Sequence, residues 1–338
     1  MPTPQAQGDT QGHGNTPGHG DTLGHGDTLG PDNTSGHGDA SNPGDTSRAA
    51  AQTVADRVRR AQDSFSAGER KIAKALLGHY PAAGLESTSA LAARAGASAP
   101  TVVRFVARLG FAGYRDFQAA LRDEVQARRA SPLTLPAMIT DASDTSELME
   151  VAADVGCAAL KQTFAALPAE DFERATELLC DTSRRIVGFG GRFTSMLAEY
   201  LDLHLRLMRP DTLLHVRGPG RDEGLVADLG PRDVCVVFDL RRYQRGTVEL
   251  ARFAHGRGAT VVLVTDPWLS PVAQFADIVL PARVEAPSPF DSLVAPLALT
   301  EALVAAVQAR LGPAAARRMR AVDDALADLE PGPGPDLA

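Results

Sequence analysis

Residues 87–121 read STSALAARAGASAPTVVRFVARLGFAGYRDFQAAL, and their spacing predicts three short helices and no strand. Leu91 and Ala92 share the inner face of a first helix. Ala95-Gly96-Ala97 follows as a tight turn, where glycine supplies the backbone freedom, and Ser98 caps a second helix. In that helix Val102, Phe105, Val106 and Leu109 recur at three- and four-residue spacing and predict a buried stripe. Ser98, Ala99, Pro100, Thr101, Arg104 and Arg108 are left outside. Small and hydroxylic residues at a helix start can approach base edges and phosphates, and an arginine one turn later can read a guanine or hold the backbone. The pattern fits a helix-turn-helix, though any three-helix bundle needs a tight turn and an amphipathic helix.

Charge separates the two readings. The 338-residue chain carries a formal net charge of −8, unevenly spread. Residues 1–47 contribute −6, residues 48–130 contribute +7 from 14 basic and 7 acidic side chains, and residues 131–338 contribute −9. A basic block inside an acidic protein is the footprint of a nucleic-acid-binding module. Upstream of the quoted stretch, Val54, Val58 and Ala61 recur at helical spacing. SAGE, residues 66–69, has capping-box form ahead of Ile72, Ala73, Leu76 and Leu77, with an end expected before Pro81. Residues 51–130 are thus expected to form an all-α DNA-binding domain. Ser98, Pro100, Thr101, Arg104 and Arg108 stand on its reading helix, with Arg70, Lys71, Lys74 and Arg94 as further phosphate contacts.

Residues 8–47 are a degenerate six-residue repeat (GHGNTP, GHGDTL, GHGDTL, GPDNTS, GHGDAS, NPGDTS) with almost no large apolar side chains. Such a tract buries too little surface to offset chain entropy, so residues 1–50 are expected to be a disordered tail. Its four histidines (His13, His19, His25, His37) admit weak metal binding, but a tail without a defined site is the plainer reading. Residues 131–146, with Pro132 and Pro136, read as a linker. No apolar run approaches a membrane span, and the N-terminus lacks the basic start and apolar stretch of a secretory signal. Three cysteines (Cys157, Cys180, Cys235) without CxxC spacing support neither a disulfide framework nor a zinc site. A cytoplasmic protein without metal or cofactor is expected.

Beyond the linker, helices are expected over 147–166, 170–180, 194–208, 222–228, 245–256, 270–275 and 290–311. Short apolar, β-branched runs at 185–189, 212–216, 234–239, 260–265 and 278–281 alternate with them. Strands separated by helices mean a parallel sheet covered on both faces, here an α/β flavodoxin-like five-stranded domain over 147–312. Residues 313–338, arginine-rich and then Pro/Gly-rich, are expected to form a flexible tail.

The run FSAGERKIAKALL and the stretch quoted first resemble the N-terminal domain of RpiR/MurR-type transcriptional regulators. Ser98, Thr101, Val102, Arg104, Phe105, Leu109, Gly110, Phe111, Gly113, Tyr114 and Phe117 carry that resemblance without a gap. The family couples this domain to a C-terminal sugar isomerase (SIS) domain that senses phosphosugars, and residues 147–311 resemble it in order and spacing. The resemblance therefore implies a regulator of an operator, a small, sugar-phosphate-like effector, and a homodimer or homotetramer.

Ligands in open parallel sheets bind at the carboxyl ends of strands. In VGFGGRFTSMLAEY, residues 187–200, Gly190 and Gly191 allow a tight turn, and Thr194 and Ser195 place hydroxyls at a helix start. The family's first loop resembles G-x-G-x-S-x-x-x-A; Gly190, Thr194 and Ala198 match, and Arg192 replaces its second glycine. Its second loop resembles S-x-S-G-x-T, where Asp239 takes the first serine, Arg241 the second, Arg242 the glycine and Gln244 the threonine. Three readings are open. Arg241, Arg242 and Arg245 bind an anion in place of serines, or Asp239 takes a hydroxyl or amine of another ligand, or the loop is structural and the domain only oligomerises. The segment 264–280 resembles a further family stretch through Thr265, Ser270, Pro271, Ala273, Ala276 and Asp277, which reads as fold maintenance.

An isomerase on the same fold would need a base next to the substrate carbonyl. Glu199, His204 and Glu301 are the acid–base side chains in view, and none stands in a motif that marks it as catalytic. A sensing role without catalysis is expected.

Overall fold

The computed structural model describes residues 52–129, 145–216 and 223–329. The expectations for the repeat tail and for residues 131–144 of the linker fall outside them. The described residues belong to one compact unit, 48–338.

The N-terminal part is all helix: α1 (Val54–Arg60), α2 (Ala67–Leu77), α3 (Ala82–Leu85), α4 (Thr88–Ala95), α5 (Ala99–Arg108) and α6 (Tyr114–Arg129). Ser66 and Glu69 close the expected capping box, each satisfying the other's backbone N–H. Thr53 and Asp56 make a second one at α1 that the sequence reading did not anticipate. Gly96 ends α4 at φ +58, the left-handed conformation that a helix-turn-helix turn asks of its glycine. Ile72, Leu76, Leu91, Val102, Phe105, Phe117 and Leu121 are fully buried in one core. α3 was not expected, and α6 runs for 16 residues rather than being short.

The C-terminal part continues through α7 (Thr145–Ala166), α8 (Ala169–Cys180), β1 (Arg185–Gly190), α9 (Ser195–Met208), β2 (Thr212–Leu214), α10 (Glu223–Ala227), β3 (Asp233–Asp239), α11 (Arg245–Gly256), β4 (Thr260–Thr265), β5 (Ile278–Pro281), α12 (Val294–Leu311) and α13 (Pro313–Leu329). The sheet order is β2-β1-β3-β4-β5, and every pairing is parallel. The strand order reverses between β1 and β3, where open α/β sheets form their ligand crevice. Alternate strand residues feed two layers. Val234, Val236, Phe238, Val262 and Val264 pack against α8, α9 and α12. Cys235, Val237, Val261 and Leu263 pack against Ala251 and Ala254 of α11.

Two expectations are corrected. The arginine-rich stretch after Leu311 is not a flexible tail up to residue 329, because α13 buries Ala315 and sets Met319 against the sheet core. Residues Pro271–Gln274 form a 3-10 turn rather than an α-helix, with Ser270 capping it and Pro271 at its start. Among the described residues, α12 is the one helix long and apolar enough to cross a membrane, yet Leu299, Leu303 and Val307 are buried in the sheet core.

Candidate functional site

α5 buries the stripe and exposes the face that its sequence spacing predicts. Val102, Phe105 and Val106 are at most 1% exposed, while Ser98, Pro100 and Arg104 face outward and Thr101 is half-buried. The hydroxyls of Ser98 and Thr101 are 2.8 Å apart, and Arg104 Nη2 donates to Thr101 Oγ1 at 3.1 Å. This small network pre-orients Arg104 over the start of the helix. Val103, 52% exposed on the same face, adds an apolar group suited to a thymine methyl. Arg108 is committed within the domain, with Nε on Glu69 at 3.1 Å and Nη1 on the Ser64 carbonyl. Lys71 is exposed, and Arg70, also exposed, donates to the Phe65 carbonyl. A cavity of about 240 Å³ beside the end of α5 is lined by Gln52, Arg57, Arg60 and Arg108. Arg57 and Arg60 were missed in the sequence reading. Their i,i+3 spacing in the run RVRR was the available signal.

The loops after β1 and β3 meet at the carboxyl ends of their strands. Gly190 must be glycine, since a Cβ there would lie 2.7 Å from the backbone of Thr194 and Ser195. Thr194 is buried, and its hydroxyl accepts from the Gly191 N–H at 2.7 Å and donates to the Phe238 carbonyl at 2.6 Å. It laces the two loops together and is not turned to solvent. The Gln244 side chain lies against Gly191. Asp239 is buried, accepting from the Ser270 hydroxyl and from the Gln244 N–H. Arg242 has φ +69, the backbone conformation glycine adopts freely, at the position where the family loop carries glycine. Among the described residues, Arg192 has only a stack on Phe193, and neither Arg242 nor the Ser195 hydroxyl has a hydrogen-bond partner. Arg245 is 90% exposed and pairs with Glu249 one turn on.

Arg241 does not join Arg192 and Arg242. It closes on the Asp291 carboxylate, lies over the Trp268 ring with 4.8 Å to the centroid, and donates to the Ala127 carbonyl in the last turn of α6. Glu199 and His204 stand on α9 and Glu301 on α12. His204 Nδ1 sits on the Tyr200 carbonyl, and the Tyr200 hydroxyl on Glu301.

The helix-turn-helix domain of the rpiR family matches residues 52–128, and the SIS domain matches residues 180–306. The chain belongs to the RpiR-type transcriptional regulators. It is 25% identical over 234 residues to an uncharacterized HTH-type transcriptional regulator of Haemophilus influenzae, covering 69% of this chain and 80% of that protein. It is 26% identical over 255 residues to the HTH-type transcriptional regulator HexR of Pseudomonas aeruginosa, covering 74% and 87%. Among solved structures, the sugar isomerase domain of an RpiR transcription factor from Sphaerobacter thermophilus aligns at 28% identity and TM-score 0.49 over 53% of this chain and 99% of that one. NanR of Vibrio vulnificus, complexed with ManNAc-6P, aligns at 21% identity and TM-score 0.45 over 81% and 98%.

In this RpiR-type regulator the two domains share a polar seam. Asp56 of α1 pairs with Arg283 beyond β5, and Thr53 Oγ1 donates to the Pro267 carbonyl. Arg128 of α6 donates to the Leu269 carbonyl at 2.7 Å and stacks over Tyr243. Leu269, at φ +61, inserts into the core of the helical domain. Tyr243 donates to Asp266, which is fully buried; burial pushes its carboxyl up to about 7 against the pull of the Tyr243 and Trp268 hydrogen bonds. Glu124 of α6, holding the Val54 N–H and the Tyr80 hydroxyl, is likewise pushed up to about 7 by burial.

Proposed function

We propose that this transcriptional regulator reads its operator through α5 and changes operator affinity when a small anionic, sugar-phosphate-like metabolite occupies the joined ends of β1 and β3. Ser98, Pro100, Thr101 and Arg104 enter the major groove, while Arg70, Lys71 and the Arg57–Arg60–Arg108 pocket hold phosphates. Gly190, Gly191, Arg192, Thr194, Ser195, Asp239, Arg241, Arg242 and Gln244 form the effector site. Thr194, Asp239 and Gln244 shape it, and Arg192, Arg242 and Ser195 meet the anion. The protein acts in the cytoplasm as a homo-oligomer on a twofold operator, without catalysis and without a cofactor.

The observation that carries the reading is Arg241. It stands on the effector loop, yet its guanidinium reaches the Ala127 carbonyl of the DNA-binding domain and the Asp291 carboxylate. An anion arriving beside Arg242 competes for that charge. Drawing Arg241 from its partners loosens the seam against α6, and the ligand shifts the arrangement by its differential affinity for the two states.

The test is fluorescence anisotropy of the full chain on a selected operator, with and without sugar phosphates, amino sugars and other anionic metabolites. An effector should change apparent affinity by about 5–150-fold, and Arg241→Ala should lose that response. Equal affinity with every compound would remove the switch while leaving DNA binding, and conversion of a bound compound to its isomer would make the protein an enzyme.

A further inference from the structure

A second recess lies between the two domains. It is a cleft of about 420 Å³, within the range of small-molecule sites, lined from the helical domain by Arg59, Gln62 and Lys74 and from the SIS domain by Asp171 and Asp277. Its apolar walls include Leu77, Leu269 and Val279. The cleft runs beside the edge strand β5, whose outer side the helical domain otherwise covers.

Arg59 is the unexplained group. Its side chain is 9% exposed, and its buried Nη1 makes no hydrogen bond among the described residues. The nearest acid is Asp56 Oδ1 at 3.7 Å, too long for a hydrogen bond, and the other Asp56 oxygen is taken by Arg283. A buried guanidinium N–H without an acceptor costs the fold its desolvation and returns nothing. Burial accordingly pulls the Arg59 pKa down, against the opposing charge of Asp56. Lys74, exposed on the same side, adds a second cation. Across the cleft the Asp277 carboxylate is spent on the Val261 N–H at 2.8 Å. Asp171 has Arg174 at 3.7 Å and feels the charge of Arg59 across the cleft, and burial raises its pKa against both.

We infer that this interdomain cleft is a binding site for a small amphoteric metabolite, its oxyanion held by Arg59 and Lys74 and its ammonium or hydroxyl by Asp171. An oxyanion in the cleft meets Arg59 and Lys74 where they line it and adds the close negative partner that Asp56, at 3.7 Å, does not give the Arg59 guanidinium. Because the walls come from both domains, the ligand bridges them and reports to the DNA-binding helices without passing through the strand ends. The site goes beyond the proposed function and stands whether or not an effector occupies β1 and β3.

The test uses the full chain and thermal shift with 2-aminoethyl phosphate, which carries both charges, beside inorganic phosphate and ethanolamine as its halves. Saturating 2-aminoethyl phosphate should raise the melting temperature, phosphate less, and ethanolamine not at all. Arg59→Met should weaken the interaction at least about tenfold and Lys74→Ala about threefold, the scale of one or part of one charge-assisted contact. Asp171→Asn should erase the preference for 2-aminoethyl phosphate over phosphate. Arg59→Met should melt no lower than the wild type without ligand, since it removes a desolvated charge; a purely structural arginine would lower it. Absence of stabilisation by both phosphates, or stabilisation that survives Arg59→Met, overturns the site. Stabilisation lost instead in Arg192→Ala with Arg242→Ala places the anion at the strand ends, which overturns the cleft and supports the proposed function.

Discussion

Asp56 and Arg283, 227 positions apart, close a buried ion pair between the two domains, Oδ2 to Nη2 at 3.0 Å with side chains 2% and 4% exposed. The pair is strongly placed on both sides. Asp56 also closes the capping box of α1, and the Arg283 backbone N–H donates to Thr163 of α7. Removing one partner of a buried pair leaves an uncompensated charge, which costs more than the pair itself contributes. Arg283→Met should therefore destabilise the chain by about 3–5 kcal/mol in urea unfolding. Asp56→Asn with Arg283→Met should recover much of that loss. A single-variant cost below about 1 kcal/mol would mean that the seam is solvated and the pair contributes little.

The base reading proposed for α5 and the phosphate holding proposed for the basic pocket separate experimentally. Arg104→Ala should cost about 1–3 kcal/mol on the operator and relax selectivity at one base pair, with little effect on random DNA. Arg60→Ala should weaken operator and random DNA alike and lower the slope of log affinity against log salt by about one. Arg108→Ala should act first on thermal stability, because Arg108 holds Glu69 and the Ser64 carbonyl. Equal losses on both DNAs for Arg104→Ala would take that residue off the base edges.

Two buried carboxyls, Asp266 beside the seam and Glu124 inside the helical domain, carry a pH dependence. Asp266 and Glu124 have ordinary values of 3.8 and 4.5, and burial raises both to about 7 in the folded chain. Between those limits the folded state holds protons that the unfolded chain has released. Their stabilisation is full below pH about 4 and is lost as pH rises through about 7, on the order of a few kcal/mol for each group. Asp266→Asn should flatten that part of the profile and leave the variant more stable than the wild type at pH about 8, as read by urea unfolding at several pH values. An unchanged slope would mean that Asp266 is ionised throughout.

The strands were legible because each is a short apolar run bounded by turn residues; 260–265 and 278–281 fall where the alternation puts them. α13 was not, since an arginine-rich surface hides a helix whose inward contribution is small, chiefly Ala315 and Met319. At the strand ends the residue types were visible but their commitments were not. Thr194 carries a hydroxyl where the family loop has serine, yet that hydroxyl is used to tie β1 to β3. Arg241 counted as one of four pocket arginines because its partners, Asp291 and Ala127, lie 50 and 114 positions away. Long-range partners leave no mark in local spacing. Arg59 escaped for the same reason, since its environment is made by a domain that the local helix pattern does not mention.

α9 carries the remaining prediction. Met196, Leu203 and Leu207 are 53%, 56% and 40% exposed, and with half-buried Tyr200 they form one stripe along the helix. Positions 196, 200, 203 and 207 are symmetric about the helix midpoint. A second copy laid antiparallel about a twofold axis sets Met196 against Leu207 and Tyr200 against Leu203. The same symmetry brings the Glu199 carboxylate of each copy opposite the imidazole of the other's His204. Such self-complementarity is what an isologous interface requires, and exposed stripes of this kind mark contact surfaces. Leu203→Glu with Leu207→Glu should leave the fold intact, since both side chains are exposed, and shift the protein to monomer in sedimentation velocity. Affinity for a two-half-site operator should then fall toward that for a single half-site, which should itself be unchanged. A variant that sediments as the wild type does would exclude α9 as an interface between copies of this chain.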